Sequence, residues 1–208
     1  MNAGNSVSAT AGKSSVQTRF EEPPEEITMA TTNPTWAIDP VHSSVEFSLD
    51  YMGFSTYRTG FRALEGSLEF DPARPAASSV NASIRVPSVD VTNERLMSRL
   101  MDADLLGGND HPTITFRSTR VEPTDATRWK VTGDLAIHGV TMPVVLDTHY
   151  LGQGMHPFSK KVSAAFRAEA AVDRSQFGVT WNAPLDSGGP YLGERVNISI
   201  VILAARQD

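Results

Sequence analysis

The chain is predicted to be all-β, a closed antiparallel barrel of about eight strands with one short helix lying across or over it. Three observations carry that expectation. Apolar and polar residues alternate in run after run, which marks strands with one buried face. Clusters of Asp, Pro, Gly and Asn punctuate those runs at turn positions. Only one stretch has helical spacing. A sandwich of two sheets is the alternative that the same alternation permits.

Residues 1–34 differ in kind from the rest. Ser, Thr, Asn, Ala, Glu and Pro dominate, Phe20 is the only aromatic before Trp36, and no apolar period is present. Such a segment buries too little surface to offset its ordering entropy, so it is expected to be a disordered tail ahead of a barrel domain spanning 35–208. From Trp36 onward the period is two. Val45, Phe47, Leu49 and Tyr51 alternate with Ser44, Glu46, Ser48 and Asp50. The next strand is awkward, because Tyr57, Thr59 and Phe61 share one parity while Leu64, Leu68 and Phe70 take the other. A bulge near 63–66 would flip the face, as bulges do where barrels bend. Alternation resumes in Val80-Ala82-Ile84-Val86, Trp129-Val131-Gly133-Leu135-Ile137, Val144-Leu146, Val162-Ala164-Phe166-Ala168 and Val196-Ile198-Ile200-Ile202. Within 93–101, Leu96/Leu100 and Met97/Met101 are i,i+4 pairs, the spacing of a helix with a broad apolar side.

Composition narrows function by exclusion. Eighteen Lys and Arg stand against 24 Asp and Glu, a formal charge of −6, which argues against a binder of nucleic-acid backbones. Cysteine is absent, so disulfides, thiol nucleophiles and cysteine-ligated metal centres are excluded. No run approaches the ~18 apolar residues of a membrane span, so no stable membrane insertion is expected. The tail lacks the basic start and apolar stretch of a secretory signal, and the expected compartment is the cytoplasm.

No catalytic or metal constellation emerges. His42, His111, His138, His149 and His156 form no H-x-H, H-E-x-x-H or helical i,i+4 pair, and no metal or cofactor is expected. The segment Asp186-Ser187-Gly188-Gly189-Pro190 reproduces most of the surroundings of a chymotrypsin-like nucleophile. Leu185 replaces its first glycine, and too little chain follows Ser187 to build a specificity pocket. A serine hydrolase using Ser187 with His42 is therefore a remote alternative, and a plain turn is the expectation.

The segment GDLAIHGVTMPVVLD at 133–147 resembles the G-D-L-T-I-H-G-V-T-x-P-V-x-L signature of the YceI-like family, the lipocalin-like polyisoprenoid-binding proteins. Trp36-Ala37-Ile38-Asp39-Pro40-Val41-His42-Ser43 resembles that family's opening W-x-I-D-x-x-H-S. Gly66 to Asp71, His111 to Thr119 and Val172 to Gly178 resemble its later motifs in the same order. The resemblance implies an eight-stranded up-and-down barrel around an elongated apolar pocket for a polyisoprenoid, an isoprenoid quinone or a fatty-acyl-like chain. It also implies a homodimer. Tyr51 and Arg99 stand where family members often carry histidine, so the head group is expected to differ.

The leading expectation is a non-catalytic carrier or sequestering protein for a long apolar small molecule. A stress-related scaffold with a filled barrel and a protein partner is the alternative. By inward parity the pocket residues are Val45, Phe47, Leu49, Tyr51, Phe61, Ile84, Phe116, Trp129, Leu135, Leu146, Phe166 and Phe177. Bulky residues here are interleaved with small ones (Ala82, Gly133, Ala164, Ala168), which a tightly filled core would not favour. Candidate head-group contacts are Arg58, Arg62, Arg95 and Arg99. Met97 and Met101, with Gly107 and Gly108 as a hinge, are the expected gate.

Residues 25–28, Glu-Glu-Ile-Thr, lead directly into Met29. Two Glu codons can read as a purine-rich ribosome-binding sequence, with two further codons as spacer. Met29 is thus an expected start, with 1–28 untranslated. Intact mass of protein from its native source is expected to begin at or after Met29, and a species retaining 1–28 would refute this.

Overall fold

Alternation in the sequence becomes strand after strand in the structure. A computed structural model describes residues 33–207, together with Met1 and Gly4. The expected tail, 1–34, and the proposed start at Met29 lie outside the described residues except at those positions. Asn33 and Pro34 already belong to the barrel: Asn33 Nδ2 donates to Ala77 O at 2.8 Å, and Phe70 N donates to Pro34 O at 3.0 Å.

Ten strand segments follow in order: β1 Thr35–Ile38, β2 Ser44–Tyr51, β3 Ser55–Phe61, β4 Leu64–Glu69, β5 Ser79–Arg85, β6 Thr113–Pro123, β7 Arg128–Ile137, β8 Val140–Met155, β9 Val162–Asp173 and β10 Leu192–Arg206. They make eight staves. β1 and β2 run one after the other along β10, and β3 and β4 run one after the other along β2 and β1. All neighbours are antiparallel and successive, and β1 pairs with both β4 and β10, so the ring closes. This is the expected closed up-and-down barrel of eight strands with one helix. β3 pairs only with β2, and its outer side is met by the 88–90 segment, where Asp90 N donates to Gly60 O at 2.8 Å, in place of a strand.

The predicted face flip in the second stave is present, at a slightly different place. β3 ends at Phe61 and β4 begins at Leu64, so the bend lies at Arg62 and Ala63, at the leading edge of the expected 63–66. Ser88 holds it, accepting from Arg62 N through its carbonyl (3.0 Å) and from Ala63 N through its hydroxyl (3.0 Å). Three further register shifts, between Ser118 and Arg120 in β6, Tyr150 and Gly152 in β8, and Leu192 and Val196 in β10, bend the long strands around the barrel.

The helix α1 spans Glu94–Leu100. Asn93 caps it, its side chain accepting from Leu96 N at 3.0 Å, and so satisfies one of the free N–H groups of the first turn. The end of the barrel beneath α1 is here called the helix end. The opposite end is plugged by rings: Phe70 packs against Trp36, Trp129, Tyr150 and Phe166 at centroid distances of 5.0–5.9 Å. Trp36 Nε1 donates to Phe70 O at 2.9 Å, which ties the first stave to the second across the plug.

β4 and β5 approach so closely that Gly66 admits no side chain. A Cβ there would overlap Asn81 O and lie 2.7 Å from Ile38 Cδ1 and 3.0 Å from Ala82 Cα. Two of these neighbours are backbone atoms of the paired strand and cannot rotate away. Gly66→Ala is expected to destabilise the barrel by about 2 kcal/mol, lowering Tm by ~4–8 °C in a thermal melt.

Candidate functional site

Side chains of one parity on all eight staves point into the barrel and do not fill it. A cavity of about 470 Å³ runs between the aromatic plug and the helix end. That volume falls in the range of ligand pockets, which is roughly 300–1,000 Å³. Every residue expected from inward parity lies on its wall: Val45, Phe47, Leu49, Tyr51, Phe61, Ile84, Phe116, Trp129, Leu135, Leu146, Phe166 and Phe177. The filled barrel that the scaffold alternative requires is not what the described residues form.

The wall is almost wholly apolar along the staves, and its polar groups gather at the ends. Glu69, Ser78 and Ser79 line it beside the plug, where Ser78 Oγ and Trp129 Nε1 are buried without a hydrogen-bond partner. At the helix end the polar groups are Tyr51, Tyr57, Tyr191, Arg99 and Arg174. The Tyr51 and Tyr191 hydroxyls hydrogen-bond to each other, with the rings edge-on at 4.9 Å. That bond and burial both raise the Tyr191 pKa, and burial raises that of Tyr57, so these phenols stay protonated at neutral pH.

Of the four candidate arginines, the structure brings only Arg99 to the cavity. Arg58 and Arg62 point away, pairing with Glu46 (3.7 Å) and Asp90 (2.6 Å). For Arg58 the reason is parity. Tyr57 and Phe61 of β3 line the cavity, and Arg58 takes the opposite facing on the same strand. Arg62 falls in the bend between β3 and β4. Arg95 is exposed on α1, one position before the inward stripe formed by Leu96, Arg99 and Leu100. Arg99 reaches the wall already committed. It bonds Asp104 through both terminal nitrogens (2.6 and 2.8 Å) and Asp102 through one (2.8 Å). Its guanidinium also stacks 5.0 Å from the centre of the Trp181 ring. Arg99 in turn holds the Asp104 carboxyl below the usual carboxylate range.

The expected gate also moves. Met97 and Met101 do not line the cavity, whereas Leu96, Leu100, Leu105 and Leu106 do. Gly107 and Gly108 are tight packing positions. A Cβ on Gly107 would lie 2.7 Å from His138 Nε2, and one on Gly108 would lie 2.9 Å from Val86 Cγ1 and overlap Met101. Their conformations are set by neighbours, and a hinge needs the opposite. The hydrolase alternative fails on distance. Ser43, beside His42, bonds Leu203 near one end of β10, while the turn holding Ser187 leads into Leu192 at the other. The strand between these points spans on the order of 35 Å. His42 instead bonds Asp39 at 2.8 Å within an exposed turn.

Parity could not foresee the loop that completes the helix end. Val179, Trp181 and Tyr191 line the cavity from a segment without strand period, and Arg174 fastens it. Arg174 is 5% exposed, and its guanidinium donates to Gly193 O (2.9 Å), Val179 O (2.8 Å), Trp181 O (2.9 Å) and Glu194 (3.3 Å). Its signal in the sequence is the V-D-R-S-Q-F-G segment, which marks family resemblance and assigns the arginine no role.

The YceI-like domain family matches residues 36–204. The chain belongs to that family. It is 36% identical over 138 residues to the protein YceI of Shigella flexneri, covering 66% of this chain and 71% of that protein. It is 32% identical over 166 residues to a UPF0312 protein of Pectobacterium carotovorum, covering 80% and 82%. Among solved structures, BcnA of Burkholderia cenocepacia superposes with a TM-score of 0.70 at 22% identity, covering 80% of this chain and 98% of that one. A polyisoprenoid binding domain from Saccharophagus degradans superposes with a TM-score of 0.62 at 13% identity, covering 84% of this chain and all of that one. At these identities the two structures show a shared fold.

Replacing Arg174 leaves several carbonyls without their donor. Arg174→Leu is expected to cost about 3 kcal/mol, with Tm lower by ~6–12 °C. Hydrogen exchange is expected to speed up selectively in 178–194, because that segment loses its fastening before the staves do.

Proposed function

We propose that the barrel binds one long apolar lipid, such as a polyisoprenoid or fatty-acyl-like chain, and acts as its carrier or sequestering protein without catalysis. The observation that carries this reading is the apolar cavity running from the aromatic plug to the polar helix end. The name of the Saccharophagus degradans neighbour, a polyisoprenoid binding domain, supports the same ligand class. Elongation and polarity agree with an amphiphile. A chain buried along the staves removes apolar surface from water, and a polar end meets the tyrosines.

Energetics favour the proposal. Each buried CH₂ contributes ~0.8 kcal/mol, so sixteen carbons give about 13 kcal/mol gross. Association and ordering of a flexible chain offset much of this, leaving an affinity of roughly micromolar to nanomolar. A scaffold role would call for a contiguous apolar patch outside the barrel. Of the large apolar residues exposed on the barrel, Val41 and Phe54 stand on separate turns, while Leu151, Met155 and Phe158 belong to the β8–β9 hairpin. We also propose the cytoplasm as the compartment and a homodimer as the assembly, to be checked by cell fractionation and light scattering.

Organic extraction of the purified protein followed by mass spectrometry is expected to release a co-purifying long-chain lipid. Phe166 belongs to the plug and also lines the cavity, so Phe166→Trp shortens the space left for a chain. It is expected to weaken a twenty-carbon prenyl chain about tenfold and a ten-carbon one less than about twofold. Equal losses for both lengths would remove Phe166 from the chain's path, and failure to bind either chain to the parent protein would refute the proposal.

A further inference from the structure

The cavity wall is apolar apart from a few polar groups at its ends, and among the described residues it holds no uncommitted cation. Its charged residues are Glu69, Arg99 and Arg174. Arg174 directs its N–H groups to backbone carbonyls and to Glu194. Arg99 is held by two carboxylates, Asp102 and Asp104, and closed on one face by Trp181. The far end adds a carboxylate, Glu69, and two serines. A phosphate or carboxylate entering this barrel would exchange its hydration for a wall whose cations already have anionic or carbonyl partners. In a low-dielectric site that exchange is strongly unfavourable.

The tyrosines offer something different. In the Tyr51–Tyr191 pair one hydroxyl donates to the other, which leaves the second O–H free to donate and both oxygens with spare lone pairs. Such a pair suits an uncharged oxygen, whether a carbonyl or a hydroxyl. It lies at the same end as Arg99, Trp181 and Leu96, where a chain running up from the plug would present its polar terminus.

We infer that the lipid carried here has an uncharged head bearing a carbonyl or hydroxyl oxygen, bound by the Tyr51–Tyr191 pair, and that the Arg99–Asp102–Asp104 cluster selects against diphosphate and carboxylate heads. This rests on the lipid-binding reading above. Asp102 and Asp104 stand off the wall and occupy the donors of Arg99, so the guanidinium that reaches the cavity, stacked on Trp181, has no free charge for a diphosphate or carboxylate. The device acts by rejection of the wrong head more than by attraction of the right one.

Geranylgeraniol and geranylgeranyl diphosphate share a chain and differ only in their heads. Titrating each into the full chain while following Trp129 and Trp181 fluorescence is expected to show the alcohol binding at least about tenfold more tightly. Asp104→Asn, and separately Asp102→Asn, should narrow that ratio by releasing Arg99 toward the ligand. Tyr191→Phe should weaken the alcohol by about threefold to tenfold and leave the diphosphate less affected, the loss of one neutral hydrogen bond. Circular dichroism melts identify any variant that fails to fold, and the parent's head-group ratio decides the question without variants. A diphosphate bound as tightly as the alcohol would overturn this inference and leave the lipid-binding reading intact. Binding of neither would overturn both. A Tyr191→Phe protein, folded and with unchanged affinity for the alcohol, would overturn the placement of the head.

Discussion

Closure of the ring by β1 is the constraint on which the rest of this structure depends. Its short run pairs on one side with β10 and on the other with β4, so the sheet closes on itself there. Once the ring is closed, side-chain parity is no longer a local matter. Each stave has an inside and an outside, and a slip of one residue would turn every apolar side chain toward water. The burial of Trp36 and its bond to Phe70 O fix that register at the plug. The bend at Arg62 and Ala63 resets it partway along the second stave.

The interior is apolar without being full, and both properties have the same origin. Eight staves enclose a space just wide enough for side chains to fill or for one slender ligand. Large rings concentrate at the plug, where Phe70 touches Trp36, Trp129, Tyr150 and Phe166. Above it the wall passes small residues such as Ala82 and Ala168, and no side chain crosses to compensate for them. The gap is the cavity. Its shape follows from where bulk was placed along the staves, so chain length is decided at the plug and head chemistry at the helix end.

At the helix end, rigidity comes from polar groups satisfied among themselves. Arg174 gathers the carbonyls of an irregular segment, Arg99 binds two carboxylates and an indole, and the Tyr51 and Tyr191 hydroxyls pair. Buried polar networks of this kind specify one arrangement when every member is satisfied. Gly107 and Gly108, far from swinging freely, are pressed against His138, Val86 and Met101. Any opening of this end must therefore move a packed unit as a whole.

Alternation of period two by itself determined that the chain is built of antiparallel strands and which residues face the interior, while the pairing of β1 with both β4 and β10 decided for a barrel over a sandwich. From Val45 through Phe166 the inward set was legible because a strand permits only two facings, and burial selects one. The helix was legible too, from its i,i+4 pairs, and the structure adds the Asn93 cap. Arg58, taken from the sequence as a head-group contact, is turned outward by the parity of β3, since Tyr57 and Phe61 face in. Only the tertiary structure decided the helix end. Leu96, Arg99 and Leu100 form the inward stripe of α1 in place of Met97 and Met101, because a helix with two apolar faces has no preferred one until it meets a barrel. Trp181 and Tyr191 reach the wall from a segment with no period at all, held by Arg174. Their positions come from bonds between residues distant in sequence, and no local pattern encodes those.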